Sequence, residues 1–240
     1  MSATLAIAKR EFGSLFRLPV GWIVLALFTF LTGVVFAVSG LQPGVPATMR
    51  GVFSVSTVLV ILIAPAVSMR LLSEESRTGT MEVVSSSPVS DWQLALGKYA
   101  AGMAFVACML AVMLVHAVVL RGLSDPKPDW GPIAAGVLSM ALLGSVCVSL
   151  GLLASSLTES QTLAFLGTVL ALVCWVLATN VLPAYVPTWL GDGLASAAVG
   201  RRVDDFARGV IDTGHVVFFL SVSWLFVFAA SVSLGMQRWL

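Results

Sequence analysis

The chain alternates long apolar stretches with short polar ones. Apolar residues run almost unbroken over 20–38, 52–69, 99–120, 133–153, 163–181 and 216–234. A helix needs about 20 apolar residues to cross roughly 30 Å of hydrocarbon. Only helices and closed barrels satisfy every backbone group there. The stretches are continuous rather than alternating, which excludes an outer-membrane barrel. The pattern predicts an all-α integral membrane protein, one domain over 1–240, built as a bundle of six transmembrane helices. The first stretch is longer than a signal-peptide core and a second follows closely, so it is expected to be a span.

The polar stretches differ in character. Over Ala3 to Arg17, apolar residues recur at Leu5, Ala8, Phe12, Leu15 and Phe16, the spacing of one helical face. Lys9, Arg10, Glu11 and Ser14 are expected to point mostly away from it. This predicts an amphipathic helix in the headgroup layer, turned into the first span at Pro19.

The connection between the second and third spans carries the densest charge: Arg70, Glu74, Glu75, Arg77, Glu82, Asp91 and Lys98. Residues 70–77 are expected to prolong the second helix until Gly79 interrupts it. Met81, Val83 and Val84 then form a short apolar patch before Ser85, Ser86, Ser87 and Pro88 break the chain. Ser90 or Asp91 is positioned to cap the next helix. A solvated connector needs no such order, and an apolar patch flanked by charge suits docking of a soluble partner. The long segment 180–214 holds Pro183, Pro187, Tyr185 and Trp189 ahead of a charged, helix-like stretch over 201–212. Its aromatic residues suit the membrane interface.

Composition agrees with the pattern: 58% of residues are apolar and 10% charged, against about 45–50% and 25% in soluble domains. The net charge of +1 says nothing about partners, and no nucleic-acid partner is expected. Lys9, Arg10 and Arg17 precede the first span and only Arg50 follows it, so both termini and the Glu82 loop are expected in the cytoplasm. Cys108, Cys147 and Cys174 fall inside spans with no C-x-x-C pair, and His116 and His215 lie apart, so no metal or redox site is expected. Ser145, Ser149, Gly151 and Ser155 have the four-residue spacing of close helix packing, within the bundle or between subunits.

The chain has no phosphate-binding loop and no H-E-x-x-H helix, so it is expected to be no enzyme. No carboxylate falls inside a span, Asp and Glu being expected in loops or at edges and Lys98 in the loop ahead of the third span, which disfavours an ion-coupled carrier. Energy for transport would have to come from a partner.

Three groups of residues carry a family resemblance. Ala8-Lys9-Arg10-Glu11-Phe12 with Phe16, Pro19 and Gly21-Trp22-Ile23-Val24-Leu25 is the first. The second and most specific is Met69-Arg70-Leu71-Leu72-Ser73-Glu74-Glu75-Ser76-Arg77-Thr78-Gly79-Thr80-Met81-Glu82, with Pro88-Val89-Ser90-Asp91-Trp92 and Leu96-Gly97-Lys98. The third is Phe206-Ala207-Arg208-Gly209-Val210-Ile211-Asp212 with Val216-Val217-Phe218-Phe219-Leu220 and Arg238-Trp239. Together they resemble ABC-2 type permeases of the gliding-motility kind. That resemblance implies a six-span permease in a bacterial inner membrane. It also implies a second permease subunit, the same or different, and a cytoplasmic ATPase that binds ATP and magnesium, so that this chain needs no cofactor. Glu74, Glu75, Arg77, Thr78, Gly79, Thr80, Met81, Glu82, Val83 and Val84 would couple to the ATPase. The rival reading is a non-transporting assembly or scaffold component of the cell envelope driven by the same kind of ATPase.

Overall fold

The computed structural model describes residues 3–17, 19–42, 47–77 and 89–237. Its helices are α1 (Ala3–Arg17), α2 (Pro19–Val35, prolonged by a π turn over Phe36–Gly40), α3 (Arg50–Ser68), α4 (Arg70–Arg77), α5 (Asp91–Leu123), α6 (Trp130–Ser156), α7 (Gln161–Asn180), α8 (Thr188–Ser196), α9 (Val199–Ala207) and α10 (Thr213–Gln237). Among these residues six helices are long and apolar enough to cross a membrane, and each holds one of the six apolar stretches. The protein is all-helical and spans a membrane several times.

Helix α6 is the hub. Two thirds of its most apolar window is buried, against about a quarter in α2, α7 and α10, and it packs on α10, α3, α5, α9, α7 and α4. The lipid-facing helices keep large side chains outward, as Phe30, Leu166 and Trp224 show.

The small residues of α6 work inside the bundle. The position a Cβ would take on Gly151 is filled by the Ser68 side chain of α3. Ser145, Ser149 and Ser155 are buried within this one chain, which settles their packing as intramolecular. Hydroxyls also form a chain across three helices: Tyr99 and Ser145 lie 2.7 Å apart, and Ser145 donates to Ser223 at 2.6 Å. This polar seam was hidden in the sequence, because a few serines barely lower the hydropathy of a span.

At the end of the bundle where α3 begins, α8 and α9 form a cap. Val199, Val203, Phe206 and Ala207 bury one face of α9, which packs on α6. The Arg202 guanidinium lies 3.9 Å from the Phe218 ring centre and donates to the Ser196 carbonyl. The Trp175 indole donates to the Ala197 carbonyl at 3.3 Å. The charged helix expected over 201–212 starts earlier and ends at Ala207, because Gly209 takes a φ of 88° that terminates it.

Candidate coupling site

Helices α3 and α4 are two pieces of one rod. The Met69 N–H bonds the Pro65 carbonyl at 2.8 Å before the chain turns. A fresh helix start leaves its first N–H groups without intrahelical partners. Ser155 of α6 supplies one: its Oγ accepts from the Leu72 and Ser73 N–H groups at 3.0 and 2.8 Å and donates to the Met69 carbonyl at 2.8 Å. Thus α4 is capped from another helix, and its orientation is tied to the hub.

The third span starts well before its apolar stretch. Ser90 accepts from the Gln93 N–H at 3.3 Å while the Gln93 side chain accepts from the Ser90 N–H at 3.3 Å, a reciprocal cap. The helix therefore runs through Lys98, and the helical period places Lys98 on the stripe of Leu94, Ala95, Ala101, Gly102 and Phe105. Lys98 is 0% exposed. It belongs to a packed helix, contrary to the expectation that Lys98 is a loop or edge residue.

A buried ammonium costs several kcal/mol unless it is paired and hydrogen-bonded, and here it is both. Lys98 Nζ lies 2.9 Å from Glu75 of α4 and 3.5 Å from Glu11 of α1, and donates to the Leu71 carbonyl. Arg10 closes the set, with Nη2 2.7 Å from Glu11 and 2.9 Å from Glu75. Hydrogen bonding to Glu11 raises the Arg10 pKa, outweighing partial burial. Two cations and two carboxylates form a neutral quartet that joins α1, α4 and α5. Beside it, Arg70 pairs with Glu74 one turn on at 2.9 Å.

The quartet corrects the reading of α1. Glu11, expected to point mostly away from the apolar face, has a side chain only 14% exposed, while Leu5, on that apolar face, is 55% exposed. The helix turns to present Glu11 to Lys98. Close approach also requires Gly97: a Cβ there would lie 2.8 Å from Ile7 Cγ2 and 3.0 Å from the Thr4 carbonyl.

Of the residues expected to couple, Glu74 pairs with Arg70, Glu75 turns into the quartet, and Arg77 ends α4 exposed. Thr78, Gly79, Thr80, Met81, Glu82, Val83 and Val84 lie outside the described residues. The sequence reading missed Arg10, Glu11, Lys98 and Ser155. Lys98 was detectable, since extending the period of α5 back from Phe105 puts it on the buried face.

No curated protein is similar enough to the chain to serve as a relative. The family model for the ABC-2 family transporter protein matches residues 5–193, a range that holds the whole quartet, its serine cap and five of the six long apolar helices. Six helices long and apolar enough to cross a membrane among the described residues, one of them the hub, with that match over most of the length, mean that the chain belongs to the ABC-2 family of membrane transporter proteins.

Proposed function

We propose that this chain is the permease subunit of an ATP-driven transporter in a bacterial inner membrane, of the gliding-motility kind, with both termini and the quartet on the cytoplasmic side. A separate ATPase binds ATP and magnesium, and a second permease subunit completes the path for substrate. The ATPase engages residues 74–84, a segment whose sequence sets the charge of Glu82 beside the apolar Met81, Val83 and Val84.

The observation that carries this reading is the quartet. Separating α4 from α5 strands Lys98 and Glu75 in a buried site, at a cost of about 2–3 kcal/mol, and parting α1 from α5 strands Glu11 beside it. Packed helices move as units between discrete arrangements. A push on the segment after Arg77 therefore moves α1, α4 and the start of α5 together, while the Ser155 cap carries it to α6. The quartet acts as the joint through which nucleotide-driven motion enters the bundle.

The test is permease-stimulated ATP hydrolysis in proteoliposomes holding the permease and its co-purified ATPase. Glu82→Lys places repulsion in the contact and Gly79→Val misdirects it. Both variants are expected to insert normally and lose stimulation and flux together. Stimulation and flux like the parent's would show that the segment is only a linker. Stimulation by the unmodified chain without vectorial flux would favour the envelope-assembly reading.

A further inference from the structure

The far end of the bundle from Lys98 carries a site that the coupling mechanism does not use. Two adjoining cavities lie between the start of α3, the start of α6 and α9. The smaller, about 170 Å³, is lined by Arg50 and Ser54 of α3 and by Asp204 and Arg208 on α9. The larger, about 390 Å³, shares Arg50, Phe53 and Ala207 with it. Its floor is apolar, with Met49, Phe53 and Ile133 all buried. A polar pocket thus adjoins an apolar trough of a size typical of small-ligand sites.

The charges at the rim select the ligand. Arg50, Asp204 and Arg208 are exposed, and among the described residues none has an ion-pair partner within 4 Å. Asp129, the other acid at the rim, is engaged as the cap of α6, accepting from the Gly131 N–H at 3.0 Å. Two open guanidiniums suit one phosphate, and one open carboxylate suits an ammonium beside it. Trp130 next to this rim and Trp189 on the cap are exposed, and such residues favour the headgroup level.

We propose that this pocket holds the headgroup of a zwitterionic phospholipid of the phosphoethanolamine kind. The phosphate lies between Arg50 and Arg208, the ammonium on Asp204, and the start of an acyl chain in the trough over Phe53 and Ile133. A purely anionic headgroup would meet Asp204 without compensation, so the carboxylate discriminates between the two. A lipid held there fills the gap between α3 and α9 that protein leaves open.

The proposal is tested by native mass spectrometry of the purified protein equilibrated with equal dioleoyl phosphatidylethanolamine and dioleoyl phosphatidylglycerol. The unmodified chain should retain the ethanolamine lipid in preference. Asp204→Asn should lower that retention about threefold or more and raise that of the glycerol lipid, while Arg50→Gln lowers both, each roughly a lost exposed ion pair or somewhat more. Both side chains are exposed, so an unaltered unfolding temperature is expected and verifies the fold. Preference for the glycerol lipid, or an ethanolamine-to-glycerol ratio that Asp204→Asn leaves unchanged, overturns the assignment, as does retention insensitive to Arg50→Gln.

Discussion

Replacing Lys98 by Met removes the ammonium while keeping much of the side chain's length. Glu75 then loses its 2.9 Å partner and Glu11 its 3.5 Å partner, in a site where both carboxylates are 14% exposed. Breaking a fully buried pair costs about 3–5 kcal/mol. Here Arg10 still reaches both carboxylates, at 2.7 and 2.9 Å, so the loss should be nearer about 2–3 kcal/mol by the same principle. For a chain of this size each kcal/mol moves the unfolding temperature by about 2–4 °C, giving a fall of about 4–12 °C. The double variant Lys98→Met with Glu75→Gln leaves Arg10 paired with Glu11 and no surplus carboxylate. It should recover to within about 1 kcal/mol of the parent, since removing both partners relieves the stranded charge. Thermal unfolding in nanodiscs, read by intrinsic fluorescence, measures both. A single variant as stable as the parent, or a double variant worse than the single, would refute the neutral-quartet argument.

Ser155→Ala strips the partner from the Leu72 and Ser73 N–H groups of α4, a loss of about 1–2 kcal/mol; amide exchange at those two residues should quicken by about tenfold, with α6 unchanged. Gly97→Leu places a side chain where Ile7 and the Thr4 carbonyl already sit. It should lever α1 off α5 at a cost of about 1–3 kcal/mol, read as new protease cleavage within α1, whereas intact α1 would contradict the close approach. Single cysteines at Lys9 and Asp204, in a background lacking Cys108, Cys147 and Cys174, should label from opposite faces of the membrane. Labelling from one face would sink the six-span arrangement.

Long apolar stretches made the spans legible, because hydrocarbon admits only one backbone solution at that length. The cap of the third span was legible to within one residue, as Ser90 or Asp91, since its chemistry is local, and the structure selects Ser90. The joint between α1, α4 and α5 was not, because it depends on contacts far apart in sequence: Arg10 meets Glu75 sixty-five positions away. A charged residue beside an apolar stretch reads as the edge of a span, and only the packed helix reveals Lys98 as interior. Glu11 was misplaced for the same reason, since a carboxylate beside Lys9 and Arg10 reads as part of an open polar face while its partner Lys98 on α5 decides where it lies. The serines of α6 were visible as a packing motif, but Ser155's role as a cap depended on the break at Met69, where an unbroken continuation of the helix was expected.

The central claim is that α1, α4 and the start of α5 move as one body when the ATPase acts. It is tested most directly by the spin-label distance between Lys9→Cys on α1 and Arg77→Cys on α4, in a doubly labelled subunit diluted with unlabelled protein and reconstituted with the ATPase. Comparing the nucleotide-free and ATP-trapped states, the account predicts that this distance stays the same while the Arg77-to-Asp204 distance along the same subunit changes. Separation of Lys9 from Arg77 on ATP binding would show that the quartet opens during the cycle, and would contradict the account.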